Sequence, residues 1–283
     1  MSQAVLYDVQ GPRARRRVLV GSVVAGLLLL ALLALVLVRL NGNGQLEERL
    51  YRPFVDQPVI YERLLEGLVN TLTAAGFALV LASVLGVLLA FGRLSHSALV
   101  RAPAIAVIEL FRALPLLLLI LGIFLAYPVL VGRPLDPLYA LVAGLTLYNG
   151  AVIAEIIRAG IQALPRGQSE AALSIGLSRG QNLRLVLLPQ AVRIMLPALI
   201  SQLVVLLKDT SLGFVISYAE LLRTGQQVVQ VTDNPLQLFT LIALIYIAIN
   251  VALSQLAVVV ERRQRRVGGP VVLPPAVQEG AAL

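Results

Sequence analysis

Gln168-Ser169-Glu170-Ala171-Ala172-Leu173-Ser174-Ile175-Gly176-Leu177, followed by Leu188-Pro189, is a polar, helix-forming stretch set between two long apolar runs. Ser169 suits a helix start, and Glu170 suits the first turn, where a carboxylate favours the positive helix end. Ala171, Ala172 and Leu173 are strong helix formers. Arg179 and Gly180 read as the end, a cation in the last turn and then a glycine stop. Gly176 then falls mid-segment, where a poor helix former implies close backbone approach or a bend. Pro165 and Pro189 bracket the unit. Two readings follow: an ordinary amphipathic connector, or a helix lying along the membrane surface that engages a soluble partner.

The surroundings of this stretch are those of an integral membrane protein. Hydrophobic residues make up 58% and charged residues 13% of the chain, with a mean hydropathy of +0.87, far outside the soluble range. There is no cysteine, hence no disulfide framework and no thiolate metal site. His96 stands alone, which excludes a histidine-based catalytic or metal cluster. The only lysine, Lys208, follows no glycine loop, so no phosphate-cradling loop of the Walker type exists in this chain. An ATP-driven process would therefore need the nucleotide on another subunit.

Apolar runs at Val18–Leu40, Leu64–Gly92, Ala102–Val131, Leu138–Ala163, Gln190–Leu212 and Leu236–Val260 are each long enough to span a bilayer, predicting six helices. The first run is too long for a signal peptide and lacks a clear cleavage site, so it reads as a retained anchor. The expected organisation is a basic N-terminus (1–17), an extra span (18–40), an external loop (41–63), a five-helix domain (64–260) and a tail (261–283), its Pro-, Gly- and Ala-rich part from Gly268 read as disordered. Arg13–Arg17, Arg93, Arg101, Arg166, Arg179, Arg184 and Arg262–Arg266 collect on one side. The positive-inside rule places that side, with both termini and the polar stretch, in the cytoplasm of a multi-pass cell-membrane protein. Basic residues flanking spans are a topology signal rather than a nucleic-acid arm. Ser211–Pro235, on the other side, mixes apolar residues with Gln226, Gln227 and Gln230 and reads as a re-entrant or surface-lying piece.

Charges within or near the spans mark the interior. Glu109 and Arg112 are three apart, as are Glu155 and Arg158, so each pair shares a helix face. A rise of about 1.5 Å per residue puts Glu109 and Arg112 about 12 and 16 Å in from Arg101, and Arg158 and Glu155 about 10 and 15 Å in from Pro165. Glu109–Arg158 and Glu155–Arg112 bridges are then geometrically accessible. Such a cluster either neutralises itself as a structural network or lines a path for a charged solute. Lys208 and Asp209 fall toward the outer end of the fifth span, half solvated. Asn70, Asn149 and Gln202 bond either a solute or neighbouring helices. Pro115 and Pro197 are candidate kinks.

The spacing Glu170-Ala171-Ala172, Gly176, Val186, Leu188-Pro189 resembles the signature of permease subunits of ATP-binding-cassette importers, with Val186 where isoleucine is commoner. Asn70-Thr71-Leu72, Glu109-Leu110-Phe111-Arg112 with Pro115, Ala154-Glu155-Ile156-Ile157-Arg158, Lys208-Asp209-Thr210-Ser211-Leu212 and Ala243-Leu244-Ile245-Tyr246 resemble the polar amino acid branch of that family. The chain departs from it at Ala113-Leu114, where Gly-Thr is common, and at Ala159-Gly160, where two glycines are frequent. At the front, Val5-Leu6-Tyr7-Asp8 and Gly11-Pro12 before an added helix resemble the glutamate-type permeases.

The resemblance implies an all-α protein with a type I importer permease core over about residues 64–260 and a coupling helix at about 168–181. Glu170, Ala171, Ala172, Gly176, Leu188 and Pro189 would transmit motion from two cytoplasmic ATPase subunits, which bind ATP and Mg. A second permease subunit, identical or homologous, and an external amino-acid-binding protein would complete the importer. Its substrate would be a polar amino acid: glutamate, glutamine or aspartate. Glu109, Arg112, Asn149, Glu155, Arg158, Gln202, Lys208 and Asp209 are the substrate-path candidates. The chain would be a transport subunit and not itself an enzyme. An ion-coupled secondary transporter is the alternative reading, opposed by the docking-type stretch and the small number of spans.

Overall fold

The computed structural model describes residues 11–267, and every regular element among them is helical. α1 (Pro12–Gly42) starts on a proline whose fixed φ suits a first helical turn. Its apolar window buries nothing against the rest of the molecule. A turn, a 3₁₀ turn (Glu48–Leu50) and the short α2 (Arg52–Asp56) lead into α3 (Val59–Arg93), which therefore begins inside the expected loop. The link is pinned to the far end of the chain. Asn234 Nδ2 donates to the Leu50 carbonyl at 3.0 Å and Gln237 Nε2 to the Gln45 carbonyl at 2.6 Å.

α3 and α6 (Pro137–Gln162) form the centre. On α3 the buried residues Ala74, Ala78, Ala82, Gly86 and Ala90 recur every fourth position, one small-residue stripe along the helix. That stripe lets α6 approach closely. A Cβ on Gly86 would lie 2.6 Å from Ile153 and 3.0 Å from the Gly150 carbonyl, and one on Gly150 would lie 2.9 Å from Leu85. Small residues at such contacts supply the van der Waals packing that joins helices in lipid.

The expected span Ala102–Val131 is two helices, α4 (Ala98–Ala113) and α5 (Leu116–Val131), bent by 100° at Leu114-Pro115. The cause is local: Pro115 has no amide hydrogen to donate and forces Leu114 into an extended conformation (φ −81°, ψ 132°). Pro197, the other candidate kink, interrupts nothing; α9 (Leu188–Asp209) runs through it as one helix. Among the described residues, five helices are long and apolar enough to cross a membrane, six if the bent pair is taken as one span, in line with the six runs in the sequence.

After α9 a 3₁₀ segment (Thr210–Ile216) leads to α10 (Leu221–Thr232) and then to α11 (Pro235–Val267). Residues 261–267, assigned to the tail by composition, continue α11 as helix. Gly268–Leu283, including the stretch read as disordered, and the Val5–Asp8 motif lie outside the described residues.

Candidate functional site

The polar stretch that organises the sequence is not one helix. α7 spans Arg166–Ser174, so Ser169 lies inside it rather than capping it, and Glu170 falls beyond the first turn. Gly176 ends the helix instead of sitting within it. Its amide donates to the Leu173 carbonyl (3.0 Å), the Leu177 amide to the Ala172 carbonyl (3.2 Å), and Gly176 takes φ +87°. This is the six-to-one and five-to-two closure that needs a left-handed residue. A Cβ on Gly176 would meet nothing within 4 Å, so the bend, and not close approach, requires the glycine.

Arg179-Gly180, read from sequence as the stop, belongs to a new start. Ser178 Oγ accepts from the Gln181 amide while Gln181 Oε1 accepts from the Ser178 amide, a capping box. The short α8 (Arg179–Gln181) passes through a π-helical turn (Asn182–Leu187) into α9, with Leu188-Pro189 forming its first turn. α7 is thus suspended between the end of α6 and the start of α9. Asn182 Nδ2 holds Ser169 Oγ at 2.7 Å and Gln190 Nε2 holds Gln168 Oε1 at 3.2 Å. Ala172 packs inward, while Glu170, Ala171, Leu173 and Ile175 face out, Ile175 being 79% exposed. The end of α7 therefore presents a carboxylate and two aliphatic side chains on its exposed side.

Four of the intramembrane charges come together, by a route the sequence does not show. Neither the Glu109–Arg158 nor the Glu155–Arg112 bridge forms. Arg93, the last residue of α3, joins the pairs instead. Its Nη1 lies 3.0 Å from Glu109 Oε1 and 3.3 Å from Glu155 Oε2. Within the helices, Arg158 Nε donates to Glu155 Oε1 at 2.7 Å, and Arg112 Nη1 reaches Glu109 Oε2 only at 3.9 Å. Arg158 also donates to Gln162. The depth arithmetic fails for Glu109 because α4 passes across the end of α3. A Cβ on Gly92 would lie 2.9 Å from the Ala104 Cβ, and Glu109 is within one arginine's reach of α3's last residue. Arg93 looks like any topology arginine closing an apolar run, and no spacing rule singles it out.

The remaining candidates separate into two places. Asn149, fully buried on α6, donates to the Leu145 carbonyl (2.9 Å) and accepts from Gln202 Nε2 of α9 (2.7 Å), which ties the two long helices together. Lys208 is exposed and Asp209 half-buried at the far end of α9 from α7, and no ion pair joins them to the charge cluster among the described residues.

At that opposite end, residues 217–221 fold against α3. Asn70 Nδ2 donates to the Ala219 carbonyl (2.9 Å), Tyr218 Oη to the Asn70 carbonyl (2.9 Å), and the Leu221 amide to Thr71 Oγ1 (3.1 Å). Glu220, missed by the sequence reading, is fully buried there. Its carboxylate caps α10 by accepting from the Leu222 (2.8 Å) and Arg223 (2.7 Å) amides, and accepts from Tyr246 Oη (3.0 Å). Burial pushes this carboxyl above the usual carboxylate range against those three donors, which favour the ionised form.

Known proteins resemble this chain in sequence and share its fold. The chain is 44% identical over 229 residues to the glutamate transport system permease protein GluD of Corynebacterium glutamicum, covering 80% of this chain and 84% of that one. It is 35% identical over 207 residues to the glutamate/aspartate import permease protein GltK of Escherichia coli O157:H7, covering 71% of this chain and 92% of the relative. A solved structure described as an amino acid ABC transporter with histidines superimposes with a TM-score of 0.70 at 32% identity, over 74% of this chain and 98% of that one. An inward-facing MetNI methionine ABC transporter, at 22% identity and a TM-score of 0.61 over 73% of this chain and 98% of that one, shares the fold. With the description "binding-protein-dependent transport system inner membrane component" matching residues 82–266, the chain belongs to that family of ABC transporter permeases.

Proposed function

We propose that this chain is the permease subunit of an ATP-driven importer of polar amino acids, with glutamate the first substrate to test and aspartate and glutamine next. The observation that carries the reading is α7, an exposed helix hung between α6 and α9, in a chain whose sequence offers no loop for a nucleotide. The substrates named for the relatives support the amino acid class.

In this reading two ATPase subunits, holding ATP and Mg, each receive one α7, and Glu170, Leu173 and Ile175 make the contact. The arginine distribution supports a cytoplasmic position for α7 and both termini. Because α7 runs into α6 at Leu164-Pro165 and into α9 through the Gly176–Ser178 turn, closure of the ATPases displaces both helices together. A second permease subunit completes the path, and an external binding protein delivers the amino acid. Glu109, Arg112, Glu155 and Arg158 line the path near α7, Asn149 and Gln202 lie deeper, and Lys208 and Asp209 lie at the outer end.

The test is Glu170→Lys with Gly176→Asp in the native host, following uptake of labelled glutamate and co-purification of an ATPase subunit. Loss of both, with the permease still in the membrane, supports the reading. Uptake that persists, yet collapses with the ion gradient, would replace it with ion-coupled transport.

A further inference from the structure

α7 is continuous with α6 and α9, but α4 and α5 rejoin α6 only through the loop between Val131 and Pro137, at the other end of the bundle. At the α7 end, α4 is held to α6 by packing and by the single guanidinium of Arg93. Resting on the permease reading above, we infer that Arg93 is a positioning residue for transport: it links the bent pair α4–α5 to α6, so that displacement of α7 reaches α4 through this bridge.

Three features of the cluster carry the inference. The same nitrogen of Arg93 donates to Glu109 on α4 and lies within ion-pair distance of Glu155 on α6, whose Oε2 accepts no hydrogen bond, so the two helices share one cation. Each carboxylate also has a second cation on its own helix, Arg112 for Glu109 and Arg158 for Glu155. Opening the bridge therefore strands neither carboxylate, the event that makes breaking a buried pair costly. Finally, the two halves differ in exposure. The side chains of Arg93, Glu155 and Arg158 are 18%, 19% and 25% exposed, whereas those of Glu109 and Arg112 are 56% and 39% exposed. The α4 carboxylate is thus the more exposed arm of the bridge.

The experiment uses the complete importer, permease with its ATPase and binding protein, in proteoliposomes, with glutamate uptake and ATP hydrolysis measured together. In Arg93→Gln, uptake per ATP hydrolysed is expected to fall about tenfold, the scale of one charge-assisted hydrogen bond, while hydrolysis and the melting temperature of the complex hold. Arg93→Lys, which keeps the charge, restores most of the coupling. Wild-type coupling in Arg93→Gln overturns the proposal. So does a parallel fall of uptake, hydrolysis and melting temperature in both Arg93 variants, since that marks a folding role. Absence of ATP-dependent uptake in the unsubstituted complex overturns the permease reading and this proposal with it, a result distinguishable from the other two.

Discussion

The two ends of the bundle are held by different chemistry. At the end distant from α7, Asn70, Thr71, Glu220 and Asn234 form hydrogen bonds largely to backbone groups, with Thr71, Glu220 and Asn234 fully buried. At the α7 end, Arg93, Glu109, Arg112, Glu155 and Arg158 form a half-solvated set in which cations outnumber carboxylates. The first end can open only by orphaning buried donors and acceptors, at about 1–3 kcal/mol each. The second can exchange partners and keep its charges paired. Under the permease reading, the outer end is the static anchor and the α7 end is the part that moves.

The largest effect should come from forcing the static end apart. A Cβ on Gly67 would lie 2.8 Å from Thr224 Oγ1 and 3.0 Å from the backbone Cα of Leu221, so Gly67→Leu must lift α10 off α3. We expect a loss of about 3 kcal/mol or more, seen as failure to recover monodisperse protein in detergent. Glu220→Ala comes next. It leaves the Leu222 and Arg223 amides and the Tyr246 hydroxyl without their acceptor, for an expected cost of about 2–3 kcal/mol in thermal unfolding. Glu220→Gln retains an acceptor oxygen for the cap and should lose less than half as much. A Glu220→Ala protein that melts with the wild type would remove the distinction between the ends.

A smaller effect is expected at α7, the helix proposed to meet the ATPase. Gly176→Ala meets no steric obstacle, so its cost is the strain of a left-handed alanine, about 1 kcal/mol. That strain frays the end of α7 and should lower the affinity for the ATPase about fivefold in a binding titration. Membrane insertion should be unchanged, since α6 and α9 are untouched.

The contrast between the ends also explains what was legible in the sequence. The spans and α7 follow from runs of residue type, because length and polarity alone decide whether a segment crosses or lies outside the hydrocarbon core. The place of α7 was therefore readable, but its bounds were not. Gly176 stops a helix only if its amide reaches the Leu173 carbonyl and that of Leu177 the Ala172 carbonyl, and the sequence equally allowed a stop at Gly180. The 100° break at Leu114-Pro115 was underread because Pro197, the same residue type in a similar run, leaves α9 unbroken. Asn149 and Gln202 were found as polar residues in apolar runs, although not as partners of each other. Glu220 and Arg93 escaped for one reason: each stands at the edge of a helix, where charges are ordinary, and only tertiary contact makes them unusual.

The smallest predicted effect separates the two ends most sharply. Arg112 approaches Glu109 no closer than 3.9 Å, and both side chains are more than a third exposed, so Arg112→Gln should shift the melting temperature by almost nothing, on the order of 0.5 kcal/mol or less. Removing Arg112 nevertheless leaves Glu109 with Arg93 as its only cationic contact, which tightens the demand on the bridge. Coupled transport in Arg112→Gln should then become more sensitive to ionic strength than in the wild type, because one exposed link now carries what two carried. The outer end offers the control, since Glu220→Gln disturbs a buried cap that salt does not reach. Uptake per ATP measured across a salt series in both variants tests this directly. Equal salt dependence in the two would mean that the α7 end is as static as the outer one.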